Sequence, residues 1–211
     1  MIEVINLTKK INNKIILENI NIKLEEGKIY AFVGRNGSGK SMLLKSIAGF
    51  IYPTEGKVLF DNIDIYKEGL FAINTRVLID KPNFEGELTG KENLEMLAKI
   101  ENRINKQDIE KCLKRFEFCK EAEIKVEKYS LGMLQKLGII QVIMESPNVL
   151  ILDEPFNGLD NQNVDLIRKI IKEEKKKNKI ILLASHIEND IKILADEIFN
   201  IENGKIEKLL I

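Results

Sequence analysis

Gly34-Arg35-Asn36-Gly37-Ser38-Gly39-Lys40-Ser41 satisfies the spacing G-x-x-x-x-G-K-[ST] without a mismatch. Its glycines let successive backbone N–H groups turn inward around phosphate oxygens. The helix that follows adds the positive end of its dipole. Lys40 is placed to reach the β- and γ-phosphates of a nucleotide, and the Ser41 hydroxyl to ligate Mg²⁺. Just upstream, Ile29–Val33 is a short, unbroken apolar run, the pattern of a strand buried on both faces of a parallel sheet. Just downstream, Ser41–Ala48 reads as a helix. A strand, a glycine loop and a helix in that order are the context in which the motif holds phosphate.

Working outward, Val4–Leu7, Ile15–Leu24 and Val58–Phe60 alternate or run apolar between Asn12-Asn13, Glu26-Gly27 and Pro53-Thr54-Glu55-Gly56 turns, and are expected as strands. From about Thr89 to Met144 the pattern becomes helical. Thr89-Gly90-Lys91-Glu92 has capping-box spacing, a second helix is expected over Lys106–Phe118, and a third after Ser130 that Ser146-Pro147 stops. The strand–helix rhythm then resumes: Val149–Leu152 strand, Asn161–Lys175 helix, Ile180–Ala184 strand, Ile187–Ala195 helix, and a closing hairpin of Ile198–Glu202 and Lys205–Leu210 turning at Asn203-Gly204. The expected fold is α/β: a mixed sheet flanked by helices, an antiparallel β part near the N-terminus, and an inserted helical subdomain. Residues 1–85 and 146–211 form the nucleotide-binding core, and about 86–145 the helical insertion, of one domain.

Composition narrows the function. The 211 residues are 44% hydrophobic, enough for a substantial core. Lys+Arg and Asp+Glu number 33 each, a balance that speaks against a nucleic-acid grip. The run Lys172-Glu173-Glu174-Lys175-Lys176-Lys177 reads as the solvated C-terminal end of a helix. Cys112 and Cys119 fall on one apolar helical face with Ile109 and Phe116, and are expected as reduced core thiols. Neither a secretory signal nor an apolar run of about 18–20 residues is visible, so a cytosolic protein is expected, one that reaches a membrane only through a partner.

Val149-Leu150-Ile151-Leu152-Asp153-Glu154 supplies the acids. An apolar strand ending in Asp153 sets that carboxylate at the sheet's carboxyl edge, where it can hold Mg²⁺. Glu154 can then polarise a water for attack on the γ-phosphorus.

With these residues the whole chain resembles the ATP-binding cassette (ABC) ATPases. Tyr129-Ser130-Leu131-Gly132-Met133-Leu134-Gln135-Lys136 is similar to the ABC signature. By that resemblance Ser130, Leu131, Gly132 and Met133 face the γ-phosphate of ATP held by an opposite subunit. Ser130 as helix N-cap and Gly132 as a point of close backbone approach agree with it. Pro155-Phe156-Asn157-Gly158-Leu159-Asp160 matches the segment that packs across the family's dimer interface, and His186 the switch histidine at the γ-phosphate. The resemblance thus implies Lys40, Glu154 and His186 as catalytic, Gly34 to Met42 around the phosphates, and Ile11 at the adenine-facing position. Ser41, Asp153 and Asp80 are implied at Mg²⁺.

The chain departs from the family at Leu131 (a glycine), Met133 (a glutamine), Met42 (a hydroxyl), Ile11 (an aromatic) and Asp80 (a glutamine). Ile79-Asp80-Lys81-Pro82-Asn83-Phe84, Leu88-Thr89 and Glu92-Asn93-Leu94 resemble ATPase subunits of bacterial exporters of antibiotics and bacteriocins. The resemblance implies ATP and Mg²⁺ as ligands, a homodimer or heterodimer of ATPase subunits, and an integral-membrane permease on the inner face of the cell membrane, with Phe84 as anchor on the permease side. The rival reading is a non-transport ABC ATPase doing conformational work in a cell-division-type complex.

Overall fold

A computed structural model describes residues 1–209, with Glu188 described by its backbone alone. The first sheet is antiparallel, in the order β2-β1-β4-β5, built from β1 (Ile2–Ile11), β2 (Lys14–Leu24), β4 (Glu55–Phe60) and the short β5 (Ile63–Asp64). The second runs β10-β9-β3-β8-β7-β6: β3 (Ile29–Val33), β6 (Thr75–Leu78), β7 (Val149–Asp153), β8 (Ile180–Ala184), β9 (Glu197–Glu202) and β10 (Lys205–Leu209). All its pairings are parallel except the β9–β10 hairpin. Leu210 of the expected hairpin lies outside the described residues.

The continuous apolar runs became the central strands. β7 and β8 are buried along their whole length, which is why their sequences do not alternate. Helices α1 (Lys40–Ile47), α2 (Gly90–Glu101), α3 (Lys106–Arg115), α4 (Leu131–Met144), α5 (Asn161–Lys175) and α6 (Glu188–Leu194) fill the connections. The Thr89 capping box forms as its spacing predicts, with Glu92 N–H on the Thr89 hydroxyl and Glu92 Oε2 accepting from Thr89 N–H at 2.8 Å. One apolar cluster joins α2, α3, α4 and α5 to one side of the parallel sheet. The other fills the space among the antiparallel sheet, α1 and the opposite side.

Two sequence expectations need correction. α3 stops at Arg115, because Glu117 turns left-handed (φ 50). Cys119 therefore leaves the Cys112 face and lies exposed, while Cys112 stays buried. The Lys-rich end of α5 is not solvated throughout. Glu174 is fully buried and paired with Arg115 of α3 at 2.5 Å, Lys177 at 2.7 Å, and Lys179.

Strand order decides where chemistry is possible. β3 sits between β8 and β9, so the loops leaving the carboxyl ends of β3, β7 and β8 meet over one sheet edge. They carry the phosphate loop, Asp153-Glu154 and Ser185-His186 respectively.

Candidate nucleotide site

Gly39 ends the loop at φ 114, a conformation L side chains rarely take. A Cβ there would stand 2.9 Å from Leu17 Cδ2 and 3.1 Å from the Ile16 carbonyl. Gly34 is equally constrained, since its Cβ would meet the Ile201 carbonyl of β9 at 2.2 Å. Lys40, buried at the first position of α1, folds back into the loop and donates to the carbonyls of Gly34 (2.8 Å) and Arg35 (3.2 Å). Ser38 Oγ is buried with no hydrogen-bond partner among the described residues, but Ser38 borders the neighbouring cleft rather than the cavity of Lys40. The N-terminus of α1 has no side-chain cap among the described residues, and open helix-terminal donors beside a folded lysine fit an oxyanion as the missing acceptor.

Ser41 Oγ donates to Asp153 Oδ2 at 2.5 Å, joining the start of α1 to the end of β7. Burial raises the pKa of Asp153 above its ordinary value. The Ser41 hydrogen bond opposes that shift, and the neighbouring Glu154 charge adds to it. A hydroxyl and a carboxylate at contact distance form a hard oxygen donor set of the kind Mg²⁺ takes.

Glu154 holds φ 48 although it precedes Pro155, a position normally driven to extended backbone. Its N–H donates to Ala184 O of β8 at 2.9 Å, and its carboxylate Oε2 lies 2.8 Å from His186 Nδ1. Asn36, Gly37, Gly39, Lys40, Ser41, Met42, Asp153, Glu154 and Asn157 line one cavity of about 590 Å³, together with Asp80 and Leu131.

Not every expected residue joins it. Asp80 lines the cavity, but its exposed carboxylate is held by Lys45 of α1 at 2.6 Å rather than by Ser41 or Asp153. Ile11 is exposed at the end of β1 and is absent from the lining. Ile16 on β2 does line the cavity, together with the apolar side chains of Met42 and Leu131. Arg35 and Ser38 open instead onto a cleft shared with Asn200 and Glu202. Ser130, Gly132 and Met133 face a separate cavity of about 230 Å³ with Gly158, Leu159 and Asp160. Leu131 parts from them: it borders the phosphate cavity and packs on Gly158, where a Cβ would fall 2.8 Å from Leu131 Cγ. Asp160 is used as the N-cap of α5, accepting from Asn163 N–H at 2.8 Å. Phe84, expected on a partner surface, is half-buried against the core. Exposed large aromatics lie elsewhere, at Phe50, Tyr52 and Phe71, with Phe50 and Phe71 edge-on at 6.0 Å.

Residues 17–157 match the ABC transporter family model. The chain belongs to that family. This ABC subunit is 38% identical over 207 residues (98% of the chain, 95% of the relative) to an uncharacterised ABC transporter ATP-binding protein, YybJ, of Bacillus subtilis. It is 37% identical to the bacitracin transport ATP-binding protein BcrA of Enterococcus faecalis, over 98% of the chain and 68% of the relative. Against the lantibiotic transport ATP-binding protein SrtF of Streptococcus pyogenes the identity is 33%, covering 98% and 89%. Among solved structures, it superposes with TM-score 0.87 and 26% identity on a dimeric ATP-binding cassette in a post-hydrolysis state with ADP and Pi, over 100% of this chain and 99% of that one. The ABC subunit is thus an ATP-binding, ATP-hydrolysing component of a transporter. Among its described residues no helix is long and apolar enough to cross a membrane.

The sequence gives Gln135 a place in the signature stretch but no role, and it does not single out Lys45 or Ile16. Gln135 and the adjacent Lys136 are polar residues in a largely apolar helix, and that placement was the one signal in the sequence.

Proposed function

We propose that this subunit is the motor of a bacterial exporter of antibiotic- or bacteriocin-like peptides, working on a separate permease at the inner face of the cell membrane. Support comes from the bacitracin and lantibiotic transport proteins among its relatives. The observation that carries the catalytic reading is the Glu154–His186 contact of 2.8 Å beside the Lys40 loop. Lys40 and the N–H groups of Gly34 to Met42 bind the phosphates. Glu154 accepts the proton of the attacking water, and His186 orients Glu154 and the γ-phosphate. Ser41 and Asp153 would hold Mg²⁺, which neutralises phosphate charge when bound. Ile16, rather than Ile11, covers the nucleotide from the β2 side.

Ser130, Gly132 and Met133 serve a second subunit's nucleotide, with Asn157 to Asp160 at the contact, in a chain arranged as a core (1–85, 146–211) and a helical signature subdomain (about 86–145). Leu131 is reassigned to its own chain's cavity wall.

Glu154→Gln keeps the size of the side chain and removes the base. ATPase kcat should fall about 10²–10⁴-fold while Mg²⁺-ATP still drives a dimer in the ultracentrifuge. A monomer at saturating Mg²⁺-ATP, with its permease or without, overturns the two-subunit site. Recovery of a soluble division-type complex instead of a multi-spanning permease overturns the transport assignment.

Asp80 belongs to this reading as a cavity-lining charge that Lys45 holds aside and that would help hold Mg²⁺. Asp80→Asn should raise the Mg²⁺ concentration for half-maximal ATPase more than it alters ATP affinity without metal. Identical Mg²⁺ titrations remove Asp80 from the site.

A further inference from the structure

The Glu154 peptide is under strain, and few groups hold it. A left-handed residue directly before a proline is disfavoured twice, by its own Cβ and by the proline ring. Glu154 nevertheless has φ 48 with Pro155 following. Its N–H is fixed by Ala184 O at 2.9 Å. Its carbonyl accepts from Asn157 N–H at 3.3 Å, within the same turn, and from Gln135 Nε2 at 3.2 Å. Gln135 comes from α4, 19 residues away, and is buried to 6% exposure. It is therefore the clamp on Glu154 that reaches across from the signature helix. Strain of this kind persists where surroundings over-determine it.

We propose that Gln135 is a positioning residue for hydrolysis: its amide holds the Glu154 peptide left-handed, and so ties the aim of the Glu154 carboxylate to the seating of α4. The inference rests on the reading of Glu154 as the base. A shift of α4 along its axis would lengthen the Gln135–Glu154 bond, and Gln135 itself lines the cavity of the phosphate loop. The signature helix thus acts on hydrolysis in its own chain through a backbone carbonyl, independently of the cavity that Ser130 and Gly132 face.

The test is steady-state ATPase kinetics and binding of a fluorescent ATP analogue on the full chain with its permease. The variants are Gln135→Met, Gln135→Glu, Glu154→Gln and the double Gln135→Met/Glu154→Gln. Gln135→Met keeps length and burial but loses the donor, so kcat should fall about tenfold with analogue affinity changing by much less. Gln135→Glu sets an acceptor against a carbonyl and should fall further. The double variant should be no slower than Glu154→Gln, because the clamp has nothing left to aim. Parental kcat in both Gln135 variants, or a tenfold further loss in the double, overturns the proposal and leaves Gln135 a packing residue. Parental kcat in Glu154→Gln overturns the base assignment itself, a separate outcome. Thermal melts of each variant separate a folding loss from a kinetic one, and a folded Gln135→Glu decides the matter where Gln135→Met does not fold.

Discussion

Two helices of this chain begin at glycine-bearing turns, and they treat their N-termini in opposite ways. At α1 the N-cap is Gly39, φ 114, and among the described residues no side chain caps it. At α4 the N-cap is Ser130, whose hydroxyl accepts from Met133 N–H at 3.2 Å, and Gly132 lies so close to the Gly158 carbonyl that a Cβ would stand 2.6 Å away. Both ends carry the same partial positive charge. The first leaves its donors to an anion; the second spends one on itself and is braced by the loop that follows β7. A helix terminus reads as an anion site only after its own cap has been counted.

Ways to break that comparison can be ranked by size. The largest effect is a control remote from both termini. Burial pushes the Glu174 carboxyl up, but Lys177, Lys179 and Arg115 outweigh it and hold the group at about 2, against an ordinary 4.5. A depressed acid stabilises the fold above its unfolded value, and that contribution fades as pH drops from about 4.5 towards 2. Glu174→Gln should cost about 3–5 kcal/mol of unfolding free energy at neutral pH. In urea titrations the gap between variant and parent should close below pH 4, with ATP affinity per folded molecule untouched. A pH-independent gap would mean that the lost contribution is packing rather than charge.

Next comes Gly39→Ala. Forcing a Cβ into that backbone costs about 1–3 kcal/mol. Calorimetry should show ATP affinity down roughly 5–150-fold. Parental affinity would show that the open terminus of α1 does not depend on its glycine. The smallest effect is Ser130→Ala, about 1 kcal/mol of stability for a lost cap. Ser130→Asn, which can still accept from the backbone, should recover most of that. Both should leave the affinity of a single chain for ATP unchanged, since Ser130 faces a different cavity from Lys40. Weaker ATP binding by the isolated Ser130→Ala subunit would erase the distinction between the two ends.

What the sequence showed follows from how local each signal was. Strands β3 and β8 and helix α5 have the predicted bounds, because their apolar runs and the Asp160 cap lie within the elements themselves. The pairing of Ser41 with Asp153 was legible through two motifs, each of which names its place at a strand end. The burial of Glu174 was not, since its acceptor role depends on Arg115, 59 residues earlier. Nor was the pull of Lys45 on Asp80, which spans 35 residues and no motif. Ile16 as a wall of the cavity was not legible either, since it sits on β2, across the hairpin from Ile11 at the end of β1. Leu131 kept its place in the signature but not its companions, since a leucine in place of glycine finds Gly158 to pack on.

The place of β3 between β8 and β9 also bears on how the molecule is made. Synthesis runs from the N-terminus at about 5–20 residues per second. The β1–β2 hairpin has both partners almost at once. The strand that carries the phosphate loop leaves the ribosome soon afterwards and then waits for Ile180–Ala184 and Glu197–Glu202, on the order of ten seconds later. Throughout that interval Ile29–Val33 is an apolar strand with both edges bare, a segment that invites pairing with another chain. Among the first parts to be made, the nucleotide cradle is one of the last to be finished. Its ligand therefore cannot assist the early stages of folding, and protection of the nascent chain falls to whatever shields β3 until the closing strands arrive.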